Sequence, residues 1–171
     1  MRSSYFKQHE KILSTQQVRP SGYVWAEAQA FYDAAELLWS AGDLARLSSP
    51  LIVNYAFSAE LSLKAAETRL KQPEKPASGL VPAATIEPAV RGHKLDRLFA
   101  GLQPATRSEL EAKFKARTGE DLAPLLARCA GYFEDGRYRY EQKGGGIGLT
   151  DVQTLARGLL DAVREFGLGQ R

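Results

Sequence analysis

Apolar residues along the chain recur at the three-to-four-residue interval of helices, and no stretch alternates over a strand's length. Ser21 can cap a first helix running from about Tyr23 to Ala41, with Gly42 near its end. That helix is expected to bury Ala26, Phe31, Ala34, Leu37 and Leu38. A second helix is predicted from near Ser49, with Pro50 in its first turn, to about Lys71. The proline-rich stretch that follows, residues 72–92, has none of this rhythm and reads as a loop.

Beyond the loop, Leu95, Leu98, Phe99 and Leu102 predict a short amphipathic helix. Thr106 and Glu109 have the spacing of a capping box for a helix carrying Leu110 and Phe114. An unbroken stripe follows: Leu122, Leu125, Leu126, Cys129, Ala130 and Phe133. Thr150 and Gln153 repeat the capping spacing, and a last helix turns Val152, Leu155, Leu159, Val163 and Phe166 inward. The pattern predicts an all-α bundle of about five or six helices. It occupies residues 21–171 as a single domain behind an N-terminal arm, residues 1–20.

The segment LIVNYAFSAELSLKAA, residues 51–66, is apolar in nearly every direction and carries only Glu60 and Lys64 as charges. At 100° per residue they share one face, a turn apart, along a strip with Val53, Ala56 and Phe57. A helix apolar on all sides belongs at the centre of a bundle. Its charges then need partners, because removing one member of a buried pair costs roughly 3–5 kcal/mol. Glu60 and Lys64 form either a structural ion pair or the floor of a polar groove completed from elsewhere.

Composition changes this picture little. Lys and Arg number 23 against 20 Asp and Glu, so the chain is mildly basic, which permits contact with nucleic acid without requiring it. Cys129 is the only cysteine, which excludes an internal disulfide, makes a zinc cluster implausible and suits a reducing cytoplasm. The N-terminus has no long apolar run of the kind a signal peptide needs. The most apolar stretch is short for a membrane span and contains charge. No cofactor or metal is expected.

Two later stretches supply partners for the Glu60–Lys64 face. His93, after Gly92 in RGHKLDRLF, stands before a helix and can cap it or bond a buried carboxylate such as Glu60. In YFEDGRYRYE, Arg137 and Arg139 alternate with Tyr138 and Tyr140 ahead of Glu141, a pattern suited to phosphate and base contact or to plain packing. The GGGIG segment, residues 144–148, follows a helix end and not a strand, so it reads as a connector and not as a phosphate loop. Lys113, Lys115 and Arg117 read as a solvated helix face.

Taken in order, the AxELxLKA helix (Ala59, Glu60, Leu61, Leu63, Lys64, Ala65), the variable loop, GHKLDRLF (Gly92 to Phe99) and the late RYRYE turn resemble the HEPN superfamily of small helical bundles. The resemblance spans about Ser21 to Gly167. It implies a homodimer with a cleft at its two-fold axis, and a metal-independent RNase or a partner of a small nucleotidyltransferase or antitoxin, in toxin–antitoxin or phage-defence settings. Active members carry an Arg and, after four to six intervening residues, a His, which moves the proton while Arg steadies phosphate charge. Here Arg137 and Arg139 are followed at that distance by Gln142, Lys143 and glycines, and the match of Arg2 with His9 lies in the terminal arm. The resemblance therefore implies a cleft that binds RNA or a nucleotide through Arg137, Arg139 and Tyr140, braced by Glu60, Lys64 and His93. The alternatives are a rearranged ribonuclease, with His93 or Glu141 as the candidates for proton transfer, or a non-catalytic scaffold for a partner.

Overall fold

The computed structural model describes residues 18–71, 85–137 and 148–168, with the backbone alone for 135–137. The chain is an all-α helical bundle with one small two-stranded sheet. In order, the elements are α1 (Gly22–Ser40), α2 (Leu44–Ala66), β1 (Thr68–Lys71), β2 (Thr85–Pro88), α3 (Leu95–Ala100), α4 (Pro104–Thr118), α5 (Leu122–Cys129), α6 (Tyr132–Arg137) and α7 (Leu149–Val163). A π-helical turn, Arg164–Leu168, extends α7.

The all-round apolar helix is the central one. α2 packs against α1, α3, α6 and α7, while α4 and α5 lean on α7. Leu51, Ile52, Tyr55, Ala59 and Leu63 are completely buried. Small residues let α1 and α2 approach closely: Ala28 and Ala35 on α1 meet a helix carrying Ala56, Ser58, Ala59 and Ser62, all without exposure. Ser58 donates across the contact to the Ala28 carbonyl at 2.8 Å, and Ser62 donates to the Ser58 carbonyl, so neither buried hydroxyl is left unpaired.

Ser21 caps α1, accepting from the Val24 amide. The buried face of that helix is Ala28, Tyr32 and Ala35, rotated from the expected one: Ala26 is exposed and Leu37 is 74% exposed. The small side chains of α2 select this register, because close approach favours alanines at the contact. α2 itself begins at Leu44 and not near Ser49, because Asp43 takes the capping role with its carboxylate on the Arg46 amide. Pro50 consequently lies inside the helix and not in its first turn.

α2 also ends earlier than its pattern predicts. Glu67 is extended, and Thr68–Lys71 pairs antiparallel with Thr85–Pro88, in the register Thr68 opposite Pro88 through Lys71 opposite Thr85. Arg19 and Thr68 exchange both backbone hydrogen bonds, and Ala89 donates to the Glu67 carbonyl. These tertiary bonds outcompete helix propensity, which is only a weak preference. Two expectations change with them. The stretch 72–92 is not wholly loop, since it contains β2, and the segment before Ser21 is tied to β1 through Arg19.

Both expected capping boxes are displaced. α4 starts at Pro104, whose fixed φ suits the first helical position, so Thr106 lies inside the helix and is buried. The Gln103 amide at its start donates instead to the buried Glu67 carboxylate at 2.7 Å. α7 starts at Leu149 behind Gly148, and Gln153 bonds Glu36. The stripe from Leu122 to Phe133 is broken between Cys129 and Tyr132 into α5 and α6. In the last helix Val152, Leu155, Leu159 and Val163 are fully buried as expected, and Phe166 is half-buried in the π turn.

Candidate functional site

Glu60 has no exposed surface, although it carries a carboxylate in the middle of α2. Its Oε1 accepts from Lys64 Nζ at 2.6 Å, one helical turn on. The His93 Nδ1 lies 3.1 Å from Oε1 and 3.2 Å from Oε2. An ionised carboxylate only accepts, so this contact makes Nδ1 the donor nitrogen. Nε2 has no partner among the described residues. The Lys64 side chain is 16% exposed and that of His93 54%, so the three groups grade from a dry carboxylate to a wet imidazole.

His93 reaches Glu60 because Gly92 has φ +110, a region that L side chains rarely adopt, and this turns the chain after β2 back onto α2. The imidazole also ends a row of rings. It stacks on Phe133 at 5.5 Å and 22°, Phe133 on Phe57 at 5.2 Å and 25°, and Phe57 meets Phe31 edge-on at 4.6 Å. α1, α2 and α6 thus hold one aromatic stack, with the imidazole at its open end.

Beside His93 lies a cleft of about 310 Å³, lined by Lys64, Glu87, Pro88, Val90, Arg91, Gly92 and His93. Arg91 is well exposed and reaches Glu87 at 3.8 Å. The cleft thus has the ammonium, the guanidinium and the imidazole on its wall, with Glu87 as the one lining carboxylate among the described residues. Such a wall suits an anion bearing oxygens, phosphate above all.

The structure therefore brings Glu60, Lys64 and His93 together. Arg137 closes α6, four positions after the Phe133 that stacks on His93. Arg139, Tyr140 and Glu141 lie outside the described residues, as do Tyr138, Gln142, Lys143 and glycines 144–146 of the GGGIG segment. Lys115 and Arg117 stand exposed on α4 but are engaged, with Asp121 and Glu165 respectively.

A second polar cluster was not anticipated from the sequence. Glu36 Oε1 accepts from the Tyr55 hydroxyl at 2.6 Å and from Gln153 Nε2 at 2.9 Å, linking α1, α2 and α7. Burial pushes the Glu36 carboxyl up, but the hydrogen bonds from Tyr55, Gln153 and Tyr32 outweigh it and hold the group below the ordinary value. Burial, then the bond to Glu36, raises the phenol of Tyr32 to about 12 and raises that of Tyr55 as well. Arg157 lies over the Tyr32 ring at 5.6 Å. Phenols held neutral against an ionised carboxylate form a lock between helices and not a reactive centre. The sequence signal was only that Tyr32 and Glu36 are one turn apart.

Burial likewise pushes the Cys129 thiol up, to about 12, which removes it as a nucleophile. No group of three metal-ligating side chains occurs among the described residues, and no described helix is long and apolar enough to cross a membrane. No protein-family model, curated protein or solved structure matches the chain.

Proposed function

We propose that this chain is a HEPN-like homodimer that binds RNA or a nucleotide in the cleft at His93. The observation carrying this reading is the wall of that cleft. A buried carboxylate fixes both the Lys64 ammonium and the His93 ring, while Arg91, held by Glu87 only at 3.8 Å, can swing toward a phosphate. Preformed donors give an anion partners without the cost of ordering them. Phe133 behind the imidazole makes the wall stiff, and the half-exposed His93 ring offers a face on which a base can stack. In this reading Arg137, Arg139 and Tyr140 are further ligand contacts, and a nucleotidyltransferase or antitoxin is the class of protein partner.

Fluorescence anisotropy with labelled RNA, together with competition by mononucleotides, tests the proposal. Wild type binds, and Arg91→Ala with His93→Ala weakens binding by tenfold or more while the helical circular dichroism is unchanged. Binding equal to wild type in that variant, and in Arg137→Ala with Arg139→Ala, refutes it.

One observation favours a second reading, a metal-independent ribonuclease. A carboxylate on Nδ1 leaves Nε2 as the basic nitrogen, the arrangement a general base requires. Cleavage of RNA in the presence of a chelator, abolished by His93→Ala, is its signature, and an inert wild type removes it.

A further inference from the structure

A second concavity is larger than the cleft at His93. It is a groove of about 730 Å³ where β1 and β2 meet the start of α1 and the end of the π turn. Arg19, Tyr23, Trp25, Arg69, Leu70 and Ile86 give it its chemistry. Among the described residues, no aspartate or glutamate lines it. Neither Arg19 nor Arg69 has an ion pair there, whereas Lys71 and Arg91 on the same hairpin are both drawn to Glu87.

The rings in the groove differ in how they are held. Trp25 is anchored, donating its indole N–H to the Leu160 carbonyl at 2.9 Å. Tyr23, two residues earlier, is 69% exposed, which is unusual for so large a ring. Leu70 and Ile86 face each other across the hairpin and are 38% and 43% exposed. Guanidinium groups without an ion pair beside exposed rings, in a groove whose described lining holds no carboxylate although Glu87 stands across the hairpin from Arg69, match the alternation of phosphate and base along a single strand.

The hairpin makes the two concavities neighbours. Ile86 borders the groove, and the next residue, Glu87, borders the cleft at His93. The cleft has the size of a small-molecule pocket, and the groove more than doubles that room. We infer that the ligand is single-stranded RNA and not a free mononucleotide, with one nucleotide in the cleft and the adjoining strand laid over the hairpin into the Arg19–Tyr23–Arg69 groove. This inference rests on the cleft at His93 being the nucleotide site.

The test uses the whole chain, a fluorescein-labelled oligouridylate of about a dozen nucleotides, and uridine monophosphate as competitor. The variants are Arg19→Ala with Arg69→Ala, and separately Tyr23→Ala. None of these side chains makes a hydrogen bond or ion pair among the described residues, so the fold is expected to survive, and circular dichroism checks this. Wild type binds the oligonucleotide at least tenfold more tightly than the monophosphate. The double variant loses that advantage, and its slope of log affinity against log salt falls by about 1.4, at roughly 0.7 for each phosphate contact on a single strand. Tyr23→Ala weakens the oligonucleotide by roughly 5- to 160-fold, the range for one base stack. The monophosphate binds all variants as it binds wild type.

An oligonucleotide that binds no better than the monophosphate overturns the inference and leaves the cleft reading standing. So does an unchanged salt slope in the double variant, or displacement of the oligonucleotide by polyglutamate at equal charge concentration. Oligonucleotide binding that depends on Arg19 and Arg69 but ignores Arg91→Ala with His93→Ala overturns the cleft reading instead, and with it the continuous track.

Discussion

The Glu60–Lys64 pair is expected to be unequally costly to break from its two ends. Glu60→Gln keeps the shape of the side chain and removes its charge, leaving an ammonium whose side chain is 16% exposed. Lys64 can lift its head toward water on its flexible stem, so the loss falls near the lower limit for a broken buried pair, about 3 kcal/mol. Lys64→Met strands a carboxylate with no exposure at all, and His93 becomes its only remaining partner among the described residues. That loss lies near the upper limit, about 5 kcal/mol. In a chain of this size each kcal/mol moves the melting temperature by about 2–4 °C, so the drops are about 6–12 °C and about 10–20 °C. Replacing both residues by methionine removes the desolvation cost together with the attraction and returns stability to within about 2 kcal/mol of wild type. Thermal and urea melts of the three variants at pH 7 and low salt check the series. Equal losses in the two single variants, or a double variant no more stable than Lys64→Met, refute the reasoning, because either result means that the pair is solvated.

Other expectations concern parts of the fold that hold the site in place. Gly158 on α7 faces the Phe114 ring so closely that a Cβ would overlap it, so Gly158→Ala destabilises by about 1–3 kcal/mol in a urea melt despite alanine's better helix propensity. Glu67→Ala removes the carboxylate that satisfies the Gln103 amide at the start of α4, and costs about 1–2 kcal/mol in the same assay. Tyr32 and Tyr55 are neutral in the fold with raised phenol values. Their contribution to stability is therefore present below the ordinary value near 10 and lost as pH rises from there, for Tyr32 through about 12. Absorbance at 295 nm and helical circular dichroism followed together against pH should show these phenolates appearing as the helices melt; their appearance near 10 with the helices intact refutes the lock.

The legible part of this molecule is what local periodicity and spacing encode. Residues 51–66 announced a central helix because no face of it was polar. Glu60 and Lys64 shared a face because four residues make about one turn, and His93 was offered to that carboxylate by the glycine before it. What escaped was set between distant segments. The hairpin was hidden because each strand is four residues long and is stabilised by Arg19 and Ala89 from outside it. The rotation of α1 depends on alanines meeting the small residues of α2, a choice that the apolar pattern of α1 alone does not make. The partners of Glu67 and Glu36 were mostly set at a distance: Gln103 for Glu67, and Tyr55 and Gln153 for Glu36, with only Tyr32 a turn away. The groove at Arg19 and Arg69 was invisible for the same reason: its residues come from the chain's beginning, middle and end.

The closed base of the hairpin has a practical consequence. Its strands are registered over their whole length, and reciprocal bonds at Thr68 and the bond from Ala89 to Glu67 clamp the ends from below. The separation between Lys71 and Thr85 is therefore fixed independently of what joins them. A reporter peptide can accordingly be grafted between Lys71 and Thr85 while the strand register and the helices stay untouched.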